Sequence, residues 1–259
     1  MDDIFSLKGK KAIVIGGGGG IGQAIAKGLA FYGADVAIAS RSMETLKKAA
    51  AEIEAEIKKK VICLQVNAAN QESIGRLAQN LLKEFGTVDI LVNSQGYNKK
   101  YPTVDMPIEE WDAMFEINVK GVMIACREFG KIMIAKKSGR IINVSSIRGI
   151  RAINGGAGNT AYGTTKGAVD MLTKNLAAEW AQFNVTVNAI GPILTDSAMM
   201  QPIFEANPNF KPNILRNVPM GRIGLPEDNI GPAVFLASDA ARFVTGQIIY
   251  PDGGSAAIV

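Results

Sequence analysis

Short apolar runs alternate along the chain with longer stretches in which apolar residues recur every three or four positions. Residues 11–15, 35–39, 61–66, 90–92, 140–144, 185–190 and 247–250 have the length and β-branched content of buried strands. Helical periodicity marks 43–57, 70–85, 108–136, 160–182 and 227–238, and one more helix follows the first strand, carrying Ala24, Ile25, Leu29 and Ala30 at helical spacing. Strands separated by helices form crossovers rather than hairpins. The alternation therefore predicts an α/β fold, a doubly wound parallel sheet with helices on both faces. No linker-like segment divides the chain, so 1–259 is read as one domain. Ligands in such sheets bind beyond the carboxyl ends of the strands. The segments that follow those ends carry Gly16 to Gly20, Ser40-Arg41, Asn67, Asn93 to Gly96, Ser145-Ser146 and Gly191-Pro192, which are expected to converge on one edge. Residues 193–219, rich in Met, Pro and Asn, form the one long irregular stretch and read as a substrate lid.

Three of these segments carry recognisable chemistry. Gly16-Gly17-Gly18-Gly19-Gly20-Ile21-Gly22 joins a buried strand to an apolar helix, the order a dinucleotide site requires. Glycine lets the backbone approach a pyrophosphate, whose charge lies against the free N–H groups of the helix N-terminus. A flexible linker has no such flanks. After the second strand, a carboxylate for the ribose of NAD is missing and Ser40-Arg41 stands in its place. A hydroxyl beside a guanidinium suits a 2'-phosphate, so NADP(H) is the expected cofactor, with NAD also accessible. The alternative is a solvated Arg41 that merely opens the next helix. Asp35 lies too early in its strand to bind the ribose.

Tyr162 and Lys166 are four residues apart on a predicted helix and so share a face. Acid–base work near neutrality requires the phenol's pKa to fall by about 3 units, roughly 4 kcal/mol. A cation about 4 Å away at an effective dielectric near 20 supplies about that much. Taken alone the pair occurs on many exposed helices; its context gives it weight.

Composition removes other chemistries. The chain has no histidine, which excludes imidazole bases, His-dependent triads and HExxH zinc sites. Cys63 and Cys126 are far apart and read as core residues, so neither a metal cluster nor a disulfide framework is expected. A net charge of +4, spread along the chain, argues against a nucleic-acid partner, and Lys58-Lys59-Lys60 reads as a solvated helix end. There is no long apolar run for a membrane and no basic, apolar leader, from which a cytoplasmic location is expected.

From about Leu7 to Gly254 the chain resembles the short-chain dehydrogenase/reductase family, on Gly16xxxGly20-Ile-Gly22, Asn93-Ser-Gln-Gly96, Asn118, Ser146, Tyr162xxxLys166, Asn188-Ala-Ile-Gly-Pro192 and Asp252-Gly-Gly254. The resemblance implies a single Rossmann-type domain, a homotetramer, and a small carbonyl or alcohol substrate. It implies that Tyr162 exchanges a proton with the substrate oxygen, that Ser146 hydrogen-bonds that oxygen, and that Lys166 lowers the tyrosine pKa and holds the nicotinamide ribose. Asn118 would support a water leading from Lys166 to solvent; a satisfied structural hydrogen bond is an equal alternative. Cofactor contacts are implied for Gly16, Gly18, Gly19, Gly20, Ile21, Gly22, Ser40, Arg41, Asn67, Ala68, Asn93, Gly96, Tyr162, Lys166, Pro192 and Ile193.

The chain departs from the family at Ile15 (usually Thr), Asn67 (usually Asp), Ser94-Gln95 (usually Asn-Ala) and Ile193 (usually Gly). The interval from Ser146 to Tyr162 is also longer than is common, with the extra residues expected in the glycine-rich stretch 154–159. The N-terminal segment and Tyr97-Asn-Lys-Lys-Tyr101 are similar to gluconate 5-dehydrogenases and related sugar-acid or polyol reductases. Lys99, Lys100, Arg148 and Arg151 follow sheet strands, so a cationic rim for a carboxylate or phosphate is one reading and ordinary solvated loop charge the other. Of these, Arg148 joins Ser146 and Tyr162 as a candidate substrate residue. A 3-oxoacyl-[acyl-carrier-protein] reductase is the nearest alternative function. A dinucleotide-binding regulator without chemistry would need the glycine turn but no proton donor.

Overall fold

The computed structural model describes residues 3–152, 158–196, 205–207 and 210–258. Its sheet has seven parallel strands: β1 (Lys11–Ile15), β2 (Asp35–Ser40), β3 (Val61–Gln65), β4 (Ile90–Asn93), β5 (Gly139–Val144), β6 (Val185–Ile190) and β7 (Ile248–Ile249), in the order β3-β2-β1-β4-β5-β6-β7. The expected doubly wound α/β domain of Rossmann type is therefore present. Period-two alternation places Ala12 and Val14 of β1 in one core, and Ile13 and Ile15 in the other. Helices α1 (Gly20–Phe31), α2 (Met43–Ile57) and α8 (Ile230–Ala237) cover the first core; α3 (Gln71–Phe85), α5 (Gly121–Ala135) and α6 (Thr160–Trp180) cover the second.

Local chemistry sets the boundaries. Ser42 and Asn70 cap α2 and α3 by accepting from Thr45 N and Ser73 N at 3.3 and 2.8 Å, and left-handed Gly86 ends α3. Lys58–Lys60 is not simply a solvated end. Lys59 Nζ donates to the Gly33 and Ala34 carbonyls at 2.8 Å and pairs with Asp35 at 2.7 Å, which ties α2 to the turn before β2.

Two expected elements differ. The 108–136 helix is split into α4 (Ile108–Phe115) and α5 by a π turn, Glu116–Lys120. The 247–250 strand shrinks to β7, because only two of its residues pair with β6, at Ala189 and Ile190. Of the expected lid, 197–204 and 208–209 lie outside the described residues; the rest includes a short helix, α7 (Phe210–Leu215), and the 194–196 segment stitched to Gly224 through Asp196 N to Gly224 O at 2.7 Å. Among the described residues no helix is long and apolar enough to cross a membrane.

Candidate active site

The chain winds from β1 out to β3 and then returns to β4, so the switch point lies between β1 and β4. The glycine turn and the loop after β4 meet there, with Ser94 N donating to Ile15 O at 2.8 Å. Gly16 has φ +87°, and a Cβ on it would lie 2.5 Å from the Ser94 carbonyl carbon. A Cβ on Gly22 would lie 2.2 Å from Gly16 O, which forces glycine where α1 presses on the turn. At Gly19 and Gly20 the added carbon would meet nothing within 4 Å. The mouth of α1 thus opens to solvent, has no capping side chain and no acidic residue in its first turn. Its unpaired N–H groups fit a pyrophosphate.

The adenosine end follows from β2 and β3. A Cβ on Gly18 would stand 3.2 Å from Ser40 Oγ, so the glycine turn and the end of β2 are neighbours. Arg41 and Asn67 line one cleft of about 460 Å³ with Arg76. Asn67 Oδ1 accepts from Ala69 N at 3.1 Å, and the Ala68 carbonyl packs against Gly121 at the start of α5. Asn93 behaves differently from its neighbours in the motif. Its side chain turns into the core, where Nδ2 donates to Asn143 Oδ1 at 2.9 Å and to the buried Cys126 sulfur at 3.3 Å. Only its backbone is left for a cofactor. Cys126 is the core thiol expected, pushed up to about 12 by burial, whereas Cys63 is half-buried.

Asn118 sits in the π turn, 0 % exposed. Its Oδ1 accepts from Tyr97 N at 2.7 Å, and its Nδ2 donates to Tyr97 O at 2.9 Å and Thr165 Oγ1 at 3.1 Å. That clamp ties the Gly96 loop to α6 through the hydrogen-bonded Asn118 side chain. Pro192 O accepts from Ile147 N at 3.0 Å and from the Ser146 hydroxyl at 3.5 Å, docking the loop that leads to Ile193 on the Ser146 loop.

Tyr162 is half-buried and Lys166 is 4 % exposed on α6. The Lys166 ammonium donates to Val144 O at 2.8 Å and stands 5.5 Å from the centre of the Tyr162 ring. Burial raises the phenol above its ordinary pKa, and the groups opposing that rise are the Ser146 hydroxyl and the Arg148 guanidinium. Lys166 itself is lowered to about 8 by burial, with Asp170 acting the other way. Arg148 is thus a second cation, besides the Lys166 over its ring, that faces Tyr162.

The cationic rim also contracts. Lys99 pairs with Glu110, which Tyr97 Oη also meets at 2.7 Å; Lys100 lies over the Phe210 ring at 5.4 Å; Arg151 donates to the Ser255 carbonyl. Arg148 is half-buried and forms no ion pair among the described residues. No cluster of metal-ligating side chains occurs among the described residues.

A family model described as enoyl-(acyl carrier protein) reductase matches residues 16–256. A 2-dehydro-3-deoxy-D-gluconate 5-dehydrogenase from Formosa agariphila is 33% identical over 99% of this chain and 96% of its own. The chain belongs to the short-chain dehydrogenase/reductase family. A 3-oxoacyl-[acyl-carrier-protein] reductase from Chlamydia trachomatis is 36% identical over 96% of this chain and 98% of its own. Among solved structures, a gluconate 5-dehydrogenase from Burkholderia cenocepacia in complex with NADP and tartrate superposes with a TM-score of 0.92, at 31% identity over 99% of both chains. This short-chain dehydrogenase/reductase is accordingly an NAD(P)-dependent oxidoreductase.

Sequence reasoning missed the partners of the rim lysines and the buried carboxylate of Asp170, on the same face of α6 as Tyr162 and Lys166. The eight-residue interval from Tyr162 to Asp170 was the available signal.

Proposed function

We propose that the protein is an NADP(H)-dependent oxidoreductase that interconverts a carbonyl and a secondary alcohol in a sugar acid or polyol. The observation that carries this reading is Arg148, a half-buried guanidinium without an ion-pair partner among the described residues, facing Tyr162 and two residues after Ser146. A cation kept there favours an anionic substrate. The names of the relatives support a sugar acid, and the NADP complex of the Burkholderia protein supports the cofactor.

NADP(H), when bound, supplies or accepts the hydride. In the reducing direction Tyr162 gives its phenolic proton to the substrate oxygen, and Ser146 donates a hydrogen bond to the charge developing there. Lys166 holds the nicotinamide ribose, and Asn118 positions the Tyr97 loop against α6. Any water relay from Lys166 then runs over the main chain of the π turn, since the Asn118 amide is spent. Gly16, Gly18, Gly19, Gly20, Ile21 and Gly22 receive the pyrophosphate, Ser40 and Arg41 the 2'-phosphate, and Asn67 and Ala68 flank the adenine. Pro192 and Ile193 border the nicotinamide.

A 3-oxoacyl-[acyl-carrier-protein] reductase is the second reading, favoured by the 36% identity to the Chlamydia enzyme. A homotetramer is supported by apolar side chains left at the surface, Phe243 fully exposed and Met171 at 55% on α6; light scattering should give four chains of 27.5 kDa. The deciding experiment is fluorescence titration with NADPH and NADH, followed by NADPH oxidation with keto sugar acids, neutral ketoses and an acetoacetyl thioester. Turnover of a keto sugar acid above the others supports the proposal. Preference for the thioester establishes the second reading, and tight binding with no turnover of any carbonyl overturns both.

A further inference from the structure

Asp170 is 6 % exposed, and neither of its carboxylate oxygens has a hydrogen-bond partner at ordinary distance. It lies one helical turn beyond Lys166 on α6, on the face that also carries Tyr162. Gly149 presses on it from the Ser146 loop, so closely that a Cβ there would stand 2.4 Å from Asp170 Oδ2 and 3.1 Å from the Lys166 carbonyl carbon. The Ser145 hydroxyl, which reaches Lys166 O at 3.3 Å, and the Tyr250 hydroxyl face the carboxylate from the ends of β5 and β7. Burying a carboxylate without close partners is costly, and an apolar residue would pack there more cheaply. The position needs a reason beyond packing.

We propose that Asp170 is a positioning residue for the reaction: its carboxylate, wedged between α6 and the Ser146–Arg148 loop, holds the charge on Lys166 and seats that loop. It rests on the acid–base assignment above. Burial raises the Asp170 carboxyl above its ordinary pKa, opposed by the Ser145 and Tyr250 hydroxyls and by Lys174 and Lys166; ionised, it favours the Lys166 ammonium against the burial that opposes it. Lys174 is the other cation near the carboxylate, on the same helix and exposed; Arg148 faces Tyr162, not Asp170. Asp252, the remaining acid near Tyr250, has its oxygens taken by Gly254 N and Ala256 N. Asp170 is thus the one acid that acts on Lys166 among the described residues.

The test is Asp170→Asn, which keeps the shape and removes the charge. NADPH affinity, measured by fluorescence from pH 6 to 10, should weaken as Lys166 loses its proton. In the variant that midpoint should move down by about 2 pH units, the scale of one unit charge a helical turn away at an effective dielectric near 20. An unmoved midpoint in a folded variant overturns the proposal. Asp170→Glu, which restores the charge, should return the midpoint toward the parent's; failure to do so would also count against it. Because the readout is binding, it stands even if no keto sugar acid is turned over, the result that would instead sink the substrate assignment.

Discussion

Replacing Arg148 by Gln removes a guanidinium that has no ion pair among the described residues while keeping a polar chain of similar reach. If the guanidinium grips a substrate carboxylate, the loss is that of a charge-assisted hydrogen bond, about 1.5–3 kcal/mol. Arg148 is only half-buried, so solvent screening places the effect toward the lower end. The expected fall in kcat/KM is therefore roughly 10- to 30-fold for a keto sugar acid. Arg148 also opposes the raised pKa of Tyr162. Its removal lifts the phenol further and leaves it protonated at neutral pH, so reduction of a neutral ketose should change little. The assay is kcat/KM for one keto sugar acid and its uncharged counterpart, on parent, Arg148→Gln and Arg148→Lys. Arg148→Lys should recover part of the discrimination, since a point charge replaces a planar fork. Equal loss on both substrates, or none on either, would refute the carboxylate contact.

Arg41→Ala should weaken NADPH binding by about 10- to 100-fold, the worth of a charge-assisted phosphate contact, and leave NADH nearly untouched; isothermal titration with both cofactors decides it. For Lys166 the sign is set by its lowered pKa. The unfolded chain protonates it below about 10.4 and the folded protein below about 8, so its burial costs stability at neutral pH, and stability recovers as pH rises through that window. Lys166→Met should lose turnover and flatten a rise of about 3 kcal/mol between pH 8 and 10, read by urea unfolding of parent and variant; parallel curves would show that Lys166 is not so perturbed. Asn118→Ala orphans the Tyr97 N–H and carbonyl and should cost about 2–4 kcal/mol in urea unfolding, and an unchanged midpoint would mean the clamp contributes nothing.

The alternation of strand and helix was legible because the inner strands β1, β2, β4, β5 and β6 are buried on both faces, and such runs differ sharply from the helices' periodicity. The glycine turn was legible for the same reason: its neighbours leave room for no other residue at Gly16 and Gly22. The π turn was not, since Glu116-Ile-Asn-Val-Lys120 has an ordinary helical pattern and its widening depends on Tyr97 and Thr165, distant in sequence. Loop charges were equally opaque. Lys99 is neutralised by Glu110 from α4 and Arg151 is hydrogen-bonded to the Ser255 carbonyl, while Arg148 has no ion pair among the described residues, and only three-dimensional packing separates them. The position of the Lys166 ammonium over the ring of Tyr162 depends on the Val144 carbonyl that draws it, which spacing on a helix cannot convey.

Tyr162→Phe bears most directly on the claim that this site is an acid–base centre. NADPH affinity, by fluorescence titration, should stay within a few-fold of the parent while kcat for carbonyl reduction falls by at least about 100-fold. Turnover at the parent's rate would show that the proton comes from elsewhere and would contradict the account.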